Sequence, residues 1–153
     1  MAHFAELDSN NNVIRVVVIS NEDVDANGGD LHPDAETFVA SVVPHSETGV
    51  AWKQTSYHHN FRKQYAGTIH YYDSFKDKFI DLQPFPSWYL DNNDDWQPPV
   101  NYPDTFDIDG LAANAEWDED NRRWIGKTFD HTTDPVTETD YFWDDNNSQW
   151  KEI

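Results

Sequence analysis

The chain contains no cysteine in its 153 residues. Disulfides, thiol nucleophiles and cysteine-ligated zinc are excluded, so packing and hydrogen bonds alone must hold the fold. Basic residues are scarce as well: ten Lys and Arg stand against 29 Asp and Glu, giving a formal charge of −19. A surface of that sign repels phosphate, so neither nucleic acid nor an anionic membrane is an expected partner. Long apolar runs are missing. The longest, Val16–Ile19, falls far short of the roughly 20 residues that cross a bilayer as a helix. The segment Met1–Asn10 carries neither a basic region nor an apolar stretch and is not read as a signal peptide. Together these features describe a soluble protein that folds in the cytoplasm.

The motifs of catalysis are lacking too. No serine lies in a Gly-x-Ser-x-Gly elbow, and no HExxH is present. Asn27-Gly28-Gly29-Asp30 has no following lysine to hold a phosphate. Twenty-nine acids make some close carboxylate pair inevitable, so such a pair signals nothing about glycoside hydrolysis. His58 and His59, read as neighbours on a strand, point to opposite faces and form a poor chelate. The loops Asp91–Asp95 and Asp107–Gly110 offer hard oxygen ligands for Ca2+, but neither matches the twelve-residue calcium loop with its terminal glutamate. The chain is therefore read as non-enzymatic, with no cofactor expected.

What the chain does have is aromatic rings: seven Trp, seven Tyr and nine Phe in a sequence only 37% hydrophobic. So many rings argue against disorder and carry most of the apolar surface. They recur seven residues apart, at Tyr72/Phe79, Tyr89/Trp96, Trp117/Trp124 and Trp143/Trp150, with Leu7/Ile14 at the same separation. If residues i and i+7 face each other across a hairpin, so do i+1 and i+6, which leaves a four-residue turn. The rings then pack on one face. A helix fits the spacing less well, because the intervening Asp/Asn runs are poor helix interior.

The expected fold is mainly β, with antiparallel hairpins in a small sheet or sandwich. Residues 1–20 form the first hairpin, and Val16–Ile19 is a strand covered on both faces. Residues 21–34 are a loop. The single short helix runs from Pro33 to Val42, with proline at its first position and Asp34 and Glu36 at its positive end. Residues 1–103 are expected as a compact body and 104–153 as a two-hairpin extension. The paired tryptophans are chiefly hairpin core, and an exposed ring stacking on sugars or quaternary amines is the functional alternative. The only basic cluster is Phe61-Arg62-Lys63-Gln64-Tyr65. Arg62, Lys63 and Tyr65, with the exposed member of each Trp pair, Trp88 or Trp143, are the expected interface residues.

Several stretches resemble small virion structural proteins of marine tailed phages, especially cyanophages. They are Met1–Ala5 with its Val/Ile-rich second strand, Trp52–Tyr57, Arg62–Gly67, Tyr71-Tyr72-Asp73 followed by Asp77–Ile80, Pro86-Ser87-Trp88 followed by Trp96, and the ending Trp150–Ile153. The segment from about 104 to 140 departs from that pattern. The resemblance implies a virion component: a capsid decoration or knob protein bound to the major capsid protein or other virion proteins, or else a tail or neck accessory. A homo-oligomer and a glycan-binding surface module are further expectations. The resemblance carries over no active site and no functional residue.

Overall fold

A computed structural model of the chain describes residues 1–153. It is mainly β, with thirteen strands and two helices, and it divides into two compact units, Met1–Leu82 and Gln83–Ile153. The boundary expected near residue 103 lies inside the second unit. The reason is packing: Phe85, Trp88 and Val100 pack against Trp117, Trp124 and Trp143.

In the first unit, β1 (Ala2–Leu7) is the middle strand of an antiparallel sheet, between β2 (Val13–Ile19) and β3 (Ala51–Thr55). Strand alternation sends Ala2 and Phe4 to one face, and Ala5 and Leu7 to the other. Ala2, Phe4 and Trp52 pack with Val24, Ala35 and Val39 of two helices, α1 (Asn21–Ala26) and α2 (Pro33–Val42). On the other face Ala5, Leu7 and Val13 pack with Tyr72 and Phe79, which belong to the hairpin of β4 (His70–Asp73) and β5 (Lys78–Asp81). Val17 and Val16 of β2 reach these two clusters respectively, as both parities required. Val18 is nevertheless 49% exposed, because β2 is the edge of its sheet.

The helix expected at Pro33–Val42 forms with those bounds, its first turn carrying Asp34 and Glu36. The second helix, α1, occupies part of the expected loop. Ser20 caps it, accepting a hydrogen bond from the Asp23 N–H at 3.1 Å, and Val24 docks its one buried side chain.

The second unit contains two short ladders and a sheet. The ladders are β6 (Tyr89–Leu90) with β7 (Trp96–Gln97), and β8 (Asp107–Ile108) with β9 (Leu111–Ala112). The antiparallel sheet has the order β10 (Asn114–Asp118), β11 (Arg123–Asp130), β12 (Thr137–Asp144), β13 (Gln149–Glu152). Trp117 faces Trp124 and Trp143 faces Trp150 across their hairpins. The ring centroids are 5.3 and 5.4 Å apart, edge to face in both pairs. Gly126 provides the seat for Trp150, since a Cβ there would come within 2.9 Å of the indole ring. The opposite face of this sheet is laced with ion pairs, including Arg123 with Asp118 and Lys151 with Asp144.

Three of the five seven-residue spacings are cross-strand pairs: Tyr72/Phe79, Trp117/Trp124 and Trp143/Trp150. The other two are not. Leu7 pairs with Val13 across a bulge, and Leu90 with Trp96. Both exceptions share one loop. Asp8 and Asp91 each bond residue i+4 through the backbone N–H at 3.0 and 2.9 Å. Each also accepts from the N–H of residues i+2 and i+4 on Oδ1. That ring of bonds closes a five-residue loop and moves the register by one.

Candidate binding surface

His3 of β1 faces away from the helices, and its ring begins an aromatic cluster. Tyr57 stacks on it at 5.6 Å with a 24° interplanar angle. Tyr65 meets it edge-on at 5.4 Å. Tyr57 also contacts Tyr65 at 5.4 Å and His58 at 5.2 Å, both edge to face. The segment after β3 is folded back to make this possible. The Ser56 carbonyl accepts from the His59 N–H, and the Ser56 hydroxyl from the Asn60 N–H at 2.9 Å. His59, in a left-handed conformation at φ 58°, accepts from the Tyr65 N–H at 3.1 Å. His58 and His59 thus lie in a turn rather than on a strand, and the turn aims their rings at different tasks. Burial, then the positive N-terminal amine and His58, pushes the His3 imidazole below its ordinary value.

The cluster borders a cleft of about 420 Å³ whose wall includes Asn21, Asp30, Gln54, Tyr57, His58 and Asn60. Gln54 is buried and fixed, donating to Asp30 Oδ1 at 2.5 Å and accepting from the Leu31 N–H at 2.6 Å. Tyr57 is 60% exposed.

Of the five expected interface residues, only Tyr65 belongs to this surface. The Arg62 side chain is 7% exposed. It bonds Asp77 at 2.8 Å, Glu36 at 3.1 Å and the Gln54 carbonyl at 2.9 Å, and it lies over the Tyr72 ring. It is an internal clamp rather than a docking arm. Lys63 is half-buried in a left-handed turn at φ 71°. Trp143 is 4% exposed, and Trp88 is half-buried in the same aromatic core. No tryptophan is among the exposed large hydrophobics. The paired tryptophans Trp117/Trp124 and Trp143/Trp150 belong to a hairpin core, Trp52 packs with the helices, and the exposed rings belong to Tyr and Phe.

The most exposed apolar side chain is Phe75, fully open at the tip of the β4–β5 hairpin. The tip is fastened beneath it. Asp73 Oδ1 accepts from the N–H groups of Phe75 and Lys76 at 3.0 Å each, and the Tyr72 hydroxyl bonds Asp77. Burial and that bond raise the Tyr72 phenol to about 12. Phase alone identifies Phe75 from the sequence: with Tyr72 and Phe79 paired, it falls in the turn, where neither strand can cover it.

The acidic loops weighed for calcium use carboxylate oxygens to bond their own backbone. Asp91 Oδ1 is occupied by its own loop, and Asp107 Oδ1 accepts from Gly110 N–H at 3.0 Å. No three His, Asp or Glu side chains converge as a metal site. A buried acid that sequence reasoning missed is Glu6, next to the end of β1 on the helix face. Its carboxylate accepts from Arg15 at 2.6 Å and the Ser46 N–H at 2.8 Å, and pairs with His45 at 2.9 Å.

The chain matches no family model, no curated protein and no solved structure.

Proposed function

We propose that this chain is a non-enzymatic structural protein of a tailed-phage virion, a head-decoration protein that docks on the shell of major capsid protein. The observation that carries this reading is Phe75. A wholly exposed phenylalanine on a fastened hairpin tip loses little conformational freedom when it enters a partner's pocket, and aromatic anchors of this kind dominate interface energetics. The acidic remainder suits an outward face that keeps particles dispersed. The resemblance of Tyr71-Tyr72-Asp73 and Asp77–Ile80, which flank Phe75, to virion proteins of cyanophages supports the same assignment.

Mass spectrometry of purified particles of the encoding phage tests it, with expected detection at a copy number commensurate with the shell. In particles reconstituted with Phe75→Ser, occupancy should drop at least about tenfold, the effect of losing a hot spot of roughly 1.4 kcal/mol or more. Folding should be unchanged, because the ring touches nothing in the free protein. Absence from the virion overturns the assignment.

A further inference from the structure

We propose that the cleft beside Tyr57 is a carbohydrate site that takes a neutral mono- or disaccharide. Its chemistry is separate from the Phe75 docking tip, so it stands or falls independently of the virion reading. Four features of the site converge on this ligand class.

The first is the ring. His3 covers one face of Tyr57 at 5.6 Å, yet Tyr57 remains 60% exposed. The exposed part of the ring lies on the cleft lining and offers an apolar surface on which the C–H face of a pyranose stacks. The second is rigidity. Tyr57 is held by three rings, His3, His58 and Tyr65, so a ligand meets a preorganised platform. The third is the wall. Asn21, Asp30 and Asn60 line the cleft, and carboxamide and carboxylate groups are the mixed donors and acceptors that hydroxyl groups need. Gln54 fixes Asp30 from beneath through its first oxygen. The fourth is size. About 420 Å³ lies in the range of small-molecule sites, roughly 300–1,000 Å³.

The competing ligand is an organic cation, since the chain is acidic and aromatic rings attract quaternary ammonium groups. The arrangement of the rings argues against it. A cation cage needs several ring faces turned toward one void, whereas His3, Tyr57 and His58, which line the cleft together with Phe61, pack against one another. An anionic ligand is disfavoured by Asp30 and by the overall charge of −19.

The test is an amide NMR titration of the full chain with glucose, galactose, mannose, N-acetylglucosamine and their common disaccharides, with tetramethylammonium as a separate arm. The expected result is saturable shifts at Tyr57, His58 and Asn60 with at least one saccharide. Tyr57→Ala should weaken that affinity at least tenfold, Asn60→Ala should also weaken it, and Tyr57→Phe should retain it. Phe75→Ser should bind the saccharide as the wild type does, which separates this site from the docking tip. No saturable binding across the panel overturns the proposal. So does binding that survives Tyr57→Ala, or tighter binding of tetramethylammonium at the same residues. Tyr57 is largely exposed, and an unchanged amide spectrum elsewhere will show that the variant is folded.

Discussion

Glu6 has no exposed surface, although it sits in the central strand of a sheet. An isolated carboxylate cannot be buried there in its charged form without compensation. Burial pushes its carboxyl up, but the bonds from Arg15, Ser46 and His45 outweigh that and hold it at about 2, against an ordinary 4.5. Gly49 completes the niche, because any Cβ at that position would collide with the carboxylate. The folded-state value is depressed, so the stabilisation is complete above pH 4.5 and is lost as pH falls toward 2. It should amount to about 3 kcal/mol on the usual conversion of a shift into free energy. Urea unfolding between pH 5 and 2 should therefore show a steep loss of stability in the wild type. In Glu6→Gln the baseline stability is lower, and the slope over the same window should be shallower. An equal slope in both proteins would place the acid sensitivity elsewhere. Nothing in the string AHFAEL announces this role. An acid in a strand reads as solvent-facing, and only the shared parity of Phe4 and Glu6 hints at the buried side.

At the scale of elements, the chain is written in hairpins, and their turns are set by one backbone requirement. The fourth turn residue of each four-residue loop is left-handed: Asp77 at φ 51°, Arg122 at 49° and Ser148 at 47°. For a residue other than glycine this conformation costs roughly 1–2 kcal/mol. Asp77 recovers part of that cost through Arg62 and Tyr72. Ser148 is exposed at the tip of the β12–β13 hairpin. Ser148→Gly should accordingly raise stability by about 0.5–1 kcal/mol, and Ser148→Val should lower it by about 1–2 kcal/mol, as judged by urea unfolding followed by tryptophan fluorescence. A neutral or destabilising glycine there would show that the turn is not strained.

These hairpins are legible in the sequence because ring spacing and Asp/Asn runs are both local signals. The registers at Leu7 and Leu90 are not, since a single extra bond to Asp8 or Asp91 decides between four- and five-residue loops. The α1 helix is hidden for a related reason. Its acidic, glycine-followed stretch reads as a loop, and only Ser20 with Asp23 three residues later marks a cap. The interface residues are the least legible. Arg62 stands out by its chemistry, yet the acids that claim it, Glu36 and Asp77, lie 26 and 15 positions away. Exposure depends on such long-range partners, whereas Phe75 follows from hairpin phase.

At the scale of the whole molecule the charge is unevenly shared. The unit Met1–Leu82 has six basic and twelve acidic residues, a balance of −6, and Gln83–Ile153 has four and seventeen, a balance of −13. Like-charge repulsion therefore weighs more heavily on the second unit, which is also the smaller. Salt screens such repulsion, since the Debye length contracts from about 30 Å at 0.01 M to about 3 Å at 1 M ionic strength. The two units carry separate spectroscopic reporters. Both helices lie in the first unit, and six of the seven tryptophans lie in the second. Between about 0.01 and 1 M NaCl, the urea midpoint from tryptophan fluorescence should rise more than the midpoint from helical ellipticity in the far ultraviolet. Equal shifts in the two signals would mean that the surface ion pairs of β10–β13, such as Lys127 with Glu138 and Asp140, already offset the excess of acid. In that case screening removes as much attraction as repulsion, and the excess of acid carries no stability cost for the unit that bears it.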